Sequence, residues 1–205
     1  AAQRYFDAHA DEWDAIRSLH VPEREVESAM AAVLGDRAIG RLVDLGTGTG
    51  RMLELFGKEA TRVLGVDRSP EMLRLARAKL AGAVPNAELR QGDLTALPLP
   101  DAAADTVILH QVLHFVPQPG PALAEAARLV ACGGRMLIVD FAPHDHEELR
   151  TRDAHQRLGF SDEQIAGWVA AAGLNLTDTR MLEGGELTVK LWLATRPALF
   201  RKEAA

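Results

Sequence analysis

Short apolar runs at 42–45, 63–67, 87–90, 106–109 and 136–139 alternate with longer stretches that read as helical. Strands buried on both faces read as unbroken apolar runs, and parallel neighbours need a crossover between them. Each intervening stretch is long enough to supply one. The alternation therefore predicts an α/β protein, a parallel sheet with helices on both faces.

Local signals mark the helices. Phe6, Ala10, Trp13 and Ile16 recur at spacings of three and four, one face of a helix. A second helix starts at Pro22, buries Val26, Met30, Val33 and Leu34, and stops at Gly35. Ser69 is an N-cap before Pro70, with Met72, Leu73, Ala76 and Leu80 as the buried stripe. Ser161 and Gln164 form a capping box ahead of Ile165, Trp168, Val169 and Ala172, and Gly173 ends that helix. The runs 176–182 and 187–193 flank Gly184 and Gly185, which predicts an antiparallel hairpin at the end of the sheet.

The length of 205 residues suits one domain. It divides into an N-terminal helical lid, 1–38, and a core, 39–197. Hydrophobic residues at 47% and charged residues at 25% are the balance of a globular protein, and no apolar stretch is long enough to span a bilayer. The net charge is −6, so the overall field does not favour nucleic acid. The one cysteine, Cys132, allows neither an intrachain disulfide nor a thiolate zinc site. The chain begins without Met and without a secretory segment, which reads as a cytoplasmic protein with a trimmed start or a domain of a longer chain.

The segment 43–50 (VDLGTGTG) follows a strand and precedes a helix, the setting in which a glycine loop carries meaning. Gly46, Gly48 and Gly50 remove Cβ atoms where a ligand would approach the backbone. A dinucleotide fingerprint wants its third glycine at position 51, which is Arg51. About 20 residues after the loop, Asp67 ends the next strand, placed to hold both hydroxyls of a ribose. An anionic acceptor there repels a 2′-phosphate despite Arg68, which argues against NADP. The competing reading is a tight turn followed by a strand-end acid at a helix cap.

Asp44, Gly46, Gly48 and Gly50 with Asp67 resemble the S-adenosylmethionine-dependent class I methyltransferases. The resemblance covers about 40–195. It extends to Gly92, Asp93 and Leu94, to Gly133 and Gly134, where Cys132 replaces the family's frequent Pro, and to the terminal hairpin. It is strongest to the ubiquinone/menaquinone-biosynthesis type. Tyr5 to Asp7, the segment 110–114 (HQVLH) and the segment 140–144 (DFAPH) also resemble methyltransferase domains fused behind winged-helix repressors of the arsenic-repressor type. The resemblance implies a Rossmann-like seven-stranded sheet of order 3-2-1-4-5-7-6 with its last strand antiparallel.

It also implies S-adenosylmethionine as cofactor and S-adenosylhomocysteine as product. Asp44 and Thr47 would meet the amino-acid tail, whose carboxylate suits backbone N–H groups near the helix start. Asp67 and Arg68 would flank the ribose. Met72 would lie against the adenine or ribose, or simply in the core. Gly92, Asp93 and Leu94 would meet the adenine. Tyr5 and Trp13, with Phe6 and His9, would close over the cofactor or merely dock their helix.

The methyl acceptor is expected beyond the carboxyl ends of the strands, in a pocket near His110 and His155. By resemblance His110 also borders the methionine part of the cofactor; His110, His114 and His155 are candidate general bases, since imidazole titrates near neutrality, with capping and packing as the competing roles. Asp140, His144, Asp145, His146, Glu147 and Glu148 read as the acidic start of a helix rather than as a metal site. An activated sulfonium needs positioning more than a metal. Arsenite is set aside as acceptor, because a soft metalloid wants several thiolates. The resulting expectation is methyl transfer to a small molecule. The alternative is a domain that senses S-adenosylmethionine or S-adenosylhomocysteine for a regulator. A homodimer and an upstream winged-helix domain are the partner expectations, with neither nucleic acid nor membrane bound by this domain.

Overall fold

The structure is a computed structural model that describes residues 22–198. Its strands are β1 (Gly40–Leu45), β2 (Ala60–Asp67), β3 (Glu88–Gln91), β4 (Ala104–His110), β5 (Val130–Phe141), β6 (Asn175–Leu182) and β7 (Val189–Thr195). They form one sheet in the order β3-β2-β1-β4-β5-β7-β6. The first five pair with one another in parallel. β7 runs antiparallel to both β5 and β6, as the glycine pair predicts. Chain order reverses between β1 and β4. The loops leaving these strands diverge there and open a crevice at their carboxyl ends.

The helices are α1 (Glu23–Leu34), α2 (Arg51–Phe56), α3 (Pro70–Ala83), α4 (Pro119–Leu129), α5 (Glu148–Arg152) and α6 (Asp162–Ala171). Successive strand residues serve opposite faces. Leu42, Val63, Ile108 and Leu137 pack with Val26, Met30, Leu53 and Leu80 of α1, α2 and α3. Val43, Leu64, Val107 and Met136 pack with Ala122, Leu123, Ala126 and Val169 of α4 and α6. Burial on both sides, at about 1.5–3 kcal/mol for each large apolar side chain, explains why the strands read as unbroken apolar runs.

The local signals act as expected. Ser69 accepts the Met72 amide and Pro70 opens α3. Ser161 and Gln164 make the reciprocal capping box of α6. α1 begins just after Pro22 and buries Val26, Met30 and Leu34, while Val33 is only half-buried.

Three features differ from the sequence reading. The connection from β3 to β4 contains no helix; Pro98 and Pro100 lie in it, and neither can donate to a helical ladder. β5 starts at Val130 rather than after the glycine pair. Val130 pairs with Ala104, and pairing resumes only at Arg135 with Thr106, so 131–134 bulge out of the ladder. The bulge is held by β7's end: Gly133 donates to the Arg196 carbonyl at 3.1 Å and Arg196 to the Gly134 carbonyl at 3.0 Å. The hairpin loop spans 183–188, with Leu187 buried outside the strand. The helix expected around Phe6 and Trp13, and most of the lid, lie outside the described residues. Among those described, no helix is long and apolar enough to cross a membrane.

Candidate active site

The glycine loop turns where β1 ends. Gly46 and Thr47 both donate to the Val66 carbonyl, at 2.8 and 3.0 Å, which folds the loop across the end of β2. Gly46, Gly48 and Gly50 all have positive φ: 73°, 53° and 84°. Only glycine takes that conformation without strain. Two of the three also permit close approach. A Cβ on Gly46 would stand 2.4 Å from Val112 Cγ2, and one on Gly50 would stand 2.9 Å from Leu80 Cδ1. Gly46 thus lets the loop after β4 sit directly on the glycine loop. Beneath it, Thr47 Oγ1 donates to Asp44 Oδ2 at 2.6 Å, and Asp44 is buried.

Asp67 is tied to this loop. Its Oδ2 accepts the Gly48 amide at 2.8 Å and its Oδ1 accepts the Ser69 amide at 2.8 Å. Both oxygens are thereby fixed at the end of β2. Gly92 donates to the Asp67 carbonyl at 3.0 Å, which brings the next loop alongside. There Asp93 Oδ1 accepts both the Thr95 amide, at 2.9 Å, and the Thr95 hydroxyl, at 2.7 Å. These bonds, with a weaker pull from Arg68, hold the Asp93 carboxyl below its ordinary range. Arg68 Nε stands 3.9 Å from Asp93 Oδ2.

These groups line one cleft of about 330 Å³. It takes in Asp44, Gly46, Thr47, Gly48, Asp67, Arg68, Met72, Gly92, Asp93, Leu94 and His110, which are the residues expected of the cofactor site apart from Gly50 and the two aromatics. Gly50 lies under the loop, against α3. Met72 serves both readings, being buried in the core and reaching the cleft. Tyr5 and Trp13 lie outside the described residues.

The far wall comes from the chain after β4. His110 ends that strand, and Gln111, Val112, Phe115, Val116, Pro117 and Gln118 complete the lining. Gln111 has φ of 50°, unusual for a bulky residue, while its amide donates to the Val139 carbonyl at 2.7 Å. Strain of this kind is known to collect at functional sites.

The other two candidate bases sit apart from that lining. His114 is buried, and its Nδ1 lies 2.8 Å from Asp140 Oδ1. Asp140 also accepts the Phe141 amide at 2.8 Å. His155 is buried with its ring 4.3 Å from that of His114 and stacked on Phe141 at 5.9 Å. The His114 carbonyl accepts the amides of Gln156 and Arg157, at 2.8 and 3.0 Å. The two imidazoles therefore fasten the loop 153–160 to the loop after β4. Nearby, His146 Nδ1 pairs with Glu148 Oε1 at 3.1 Å at the start of the short helix α5. Among the described residues no group of three His, Cys, Asp or Glu converges as a metal site.

Sequence reasoning missed Arg51 as a site residue, reading it only as the absence of a glycine. It lines the cleft and is gripped by Glu27 of α1, from Nε to Oε1 at 2.6 Å and from Nη2 to Oε2 at 2.9 Å. Met52 and Thr95 were also missed. The strain at Gln111 has no local signal, since nothing in its neighbours' identities demands a positive φ.

A sheet whose chain order reverses between β1 and β4, a glycine loop with an acid on the next strand, and a second acid after the third are the features that the resemblance to S-adenosylmethionine-dependent methyltransferases leads one to expect. Comparison with known proteins gives the same class. Residues 43–138 match the family described as methyltransferase domain. A demethylmenaquinone methyltransferase of Thermobifida fusca is 32% identical over 170 residues, covering 80% of this chain and 69% of its own. A phosphatidylethanolamine N-methyltransferase of Cereibacter sphaeroides is 39% identical over 131 residues, 63% of each chain. The magnesium protoporphyrin IX methyltransferase of Synechocystis, solved with S-adenosylhomocysteine bound, shares the fold at a TM-score of 0.78 and 19% identity, covering 95% of this chain and 97% of its own. The chain belongs to the S-adenosylmethionine-dependent methyltransferases, and S-adenosylmethionine is that family's cofactor. It spans 63%, 41% and 50% of the length of the first three curated relatives.

Proposed function

We propose that this protein transfers a methyl group from S-adenosylmethionine to a small-molecule acceptor. The observation that carries the proposal is the division of the cleft into two unlike walls. The segments after β1, β2 and β3 bring Asp44, Asp67, Arg68 and Asp93; the segment after β4 brings the apolar Val112, Phe115, Val116 and Pro117, with Gln111 and Gln118 at its ends. The charged wall suits a cofactor with a ribose and a zwitterionic tail. The neutral wall suits an uncharged acceptor surface.

When bound, S-adenosylmethionine supplies a methyl group already activated by its sulfonium. The residues of the chain do the rest. Asp67 would take the ribose hydroxyls with Arg68 beside it, Asp93, Leu94 and Met72 would meet the adenine, and Asp44, held by Thr47, would take the tail's ammonium. The cofactor would supply the methyl group to the acceptor's lone pair, with S-adenosylhomocysteine as the leaving group. His110, which ends β4 and lines the cleft, would receive the acceptor's proton where there is one to lose. His114 and His155 position the loop after β4 from behind. Similar enzymes named above act on lipid and quinone acceptors by their names, and that likeness supports a small molecule. The sensing-domain alternative gains nothing from those relatives.

The test is label from methyl-labelled S-adenosylmethionine in fractionated cell extract. Label in a small-molecule fraction, lost with Asp67→Ala, is the expected result. Label confined to protein or nucleic acid would overturn the acceptor class.

A further inference from the structure

Gln111 follows the last residue of β4, lines the cleft and is half-buried. Among the described residues its carboxamide makes no hydrogen bond. The roles given above assign it no task.

Its backbone is costly. A φ of 50° is left-handed, a region that glycine or asparagine enters more readily than glutamine. The conformation persists because the segment is fixed from several sides. The Gln111 amide donates to the Val139 carbonyl at 2.7 Å. Val112 rests so closely on the glycine loop that a Cβ on Gly46 would stand 2.4 Å from its Cγ2. His114 is tied to Asp140 through Nδ1 at 2.8 Å and through its amide at 3.3 Å. These anchors demand the backbone and say nothing about the side chain. Glycine would meet them with less strain. What glycine lacks is the amide that Gln111 brings to the cleft.

A carboxamide is uncharged and carries both donors and an acceptor. The lining residues that follow it, Val112, Phe115, Val116 and Pro117, are all apolar. One amide at the edge of an apolar surface fixes the orientation of a ligand that is itself mostly apolar. It pairs with a hydroxyl or a carbonyl. It does not offset an ammonium or a carboxylate, which would keep its desolvation cost against this segment.

We propose that Gln111 determines acceptor specificity by hydrogen-bonding a hydroxyl or carbonyl oxygen of an uncharged, largely apolar methyl acceptor. This rests on the methyl-transfer reading and deepens it. A merely structural Gln111 would disturb cofactor and acceptor together, because Val112 beside it rests on the glycine loop. A specificity residue acts on the acceptor alone.

The experiment supplies the full chain with methyl-labelled S-adenosylmethionine and the small-molecule fraction of cell extract. The products are then separated into neutral, cationic and anionic compounds. Label should enter neutral compounds and survive mild alkali. A methyl ester made from a carboxylate would also be neutral, but would lose its methyl group there. Label among charged compounds, or alkali-labile label, would overturn the acceptor class. With the neutral compounds of the extract as acceptor, Gln111→Gly should raise the amount needed for half-maximal labelling about threefold or more, and the plateau rate should change less. Its affinity for S-adenosylhomocysteine, read by calorimetry, should stay within about threefold. Its thermal midpoint should not fall, since the left-handed backbone is relieved. Gln111→Asn keeps an amide and tolerates the same backbone, so it should recover part of the loss. Cofactor affinity lost in step with labelling would make Gln111 structural, and unchanged labelling would make it idle; either overturns the proposal. No labelling of any fraction of the extract by the unaltered chain is a different failure, that of methyl transfer itself, and removes the proposal with it.

Discussion

The Asp67 carboxylate accepts the Gly48 amide at 2.8 Å, so the acid at the end of β2 and the glycine loop after β1 form one hydrogen-bonded unit. The contact joins residues 19 apart and sets the loop's shape before any ligand arrives. Asp67 is thereby both a binding group and a strut.

Asp67→Ala should weaken S-adenosylhomocysteine binding by about 1.5–3 kcal/mol, the scale of hydrogen bonds to a charged group. Calorimetry reads this directly. A loss under about tenfold in dissociation constant would remove Asp67 from the ribose role.

Gly46→Ala places a methyl group 2.4 Å from Val112 Cγ2 at a φ of 73°. Two penalties add: the clash, and about 1–2 kcal/mol for a side chain in left-handed backbone. Chemical denaturation should show the double variant Gly46→Ala with Val112→Ala recovering only part of the loss, since Val112 Cβ would still stand 2.9 Å away and the backbone strain remains. Full recovery would mean that the loop's conformation does not require glycine.

Arg135 is buried in β5, and its guanidinium donates to the carbonyls of Leu34, Arg37 and Ala38 at 2.7, 2.9 and 3.3 Å, and to Thr106 Oγ1 at 3.1 Å. It closes the end of α1 onto the sheet. Arg135→Met keeps much of the volume and removes the donors. Each buried carbonyl left without a donor costs about 1–3 kcal/mol, so a fall in denaturation midpoint is expected with little change in cofactor affinity. An unchanged midpoint would contradict this role.

Glu125 in α4 accepts from Arg128 at 2.9 Å through both Oε1 and Oε2, and from the Leu97 amide at 3.0 Å. Arg128 first, and the Leu97 amide after it, hold the carboxyl below its ordinary value of 4.5. A lowered value in the folded state means stability that is complete above the ordinary value and is lost as pH falls through the lowered one. Glu125→Gln should therefore lower the thermal midpoint at neutral pH, and the difference from the unaltered chain should shrink progressively as pH falls below the ordinary value of 4.5. A constant difference across that range would show that the charge is not the cause.

What the sequence made legible was local or periodic. Ser69 and Ser161 cap helices because a hydroxyl beside an open helix end needs no distant partner. The apolar runs reported strands because both sheet faces are covered. Gly46, Gly48 and Asp67 were readable because their spacing within one βαβ unit fixes their meeting. The rest depended on distant neighbours. In the bulge at 131–134, Gly133 and Gly134 announce a break, but that the strand begins ahead of it at Val130 comes from pairing with β4 and from β7's end. Nothing local marks Arg135 as buried; its partners are carbonyls about 100 positions earlier. Arg51 reads as a missing glycine until Glu27 arrives from α1. His114 and His155 read as candidate bases with packing as the competing role, and the structure buries both against each other where two loops meet.

The most direct measurement is parallel calorimetric titration of the purified chain with S-adenosylmethionine, S-adenosylhomocysteine and NAD. Micromolar binding of the two sulfur ligands with none of NAD is the result this account predicts. Binding of NAD alone would contradict it and return the loop of Gly46 to Gly50 to the dinucleotide enzymes.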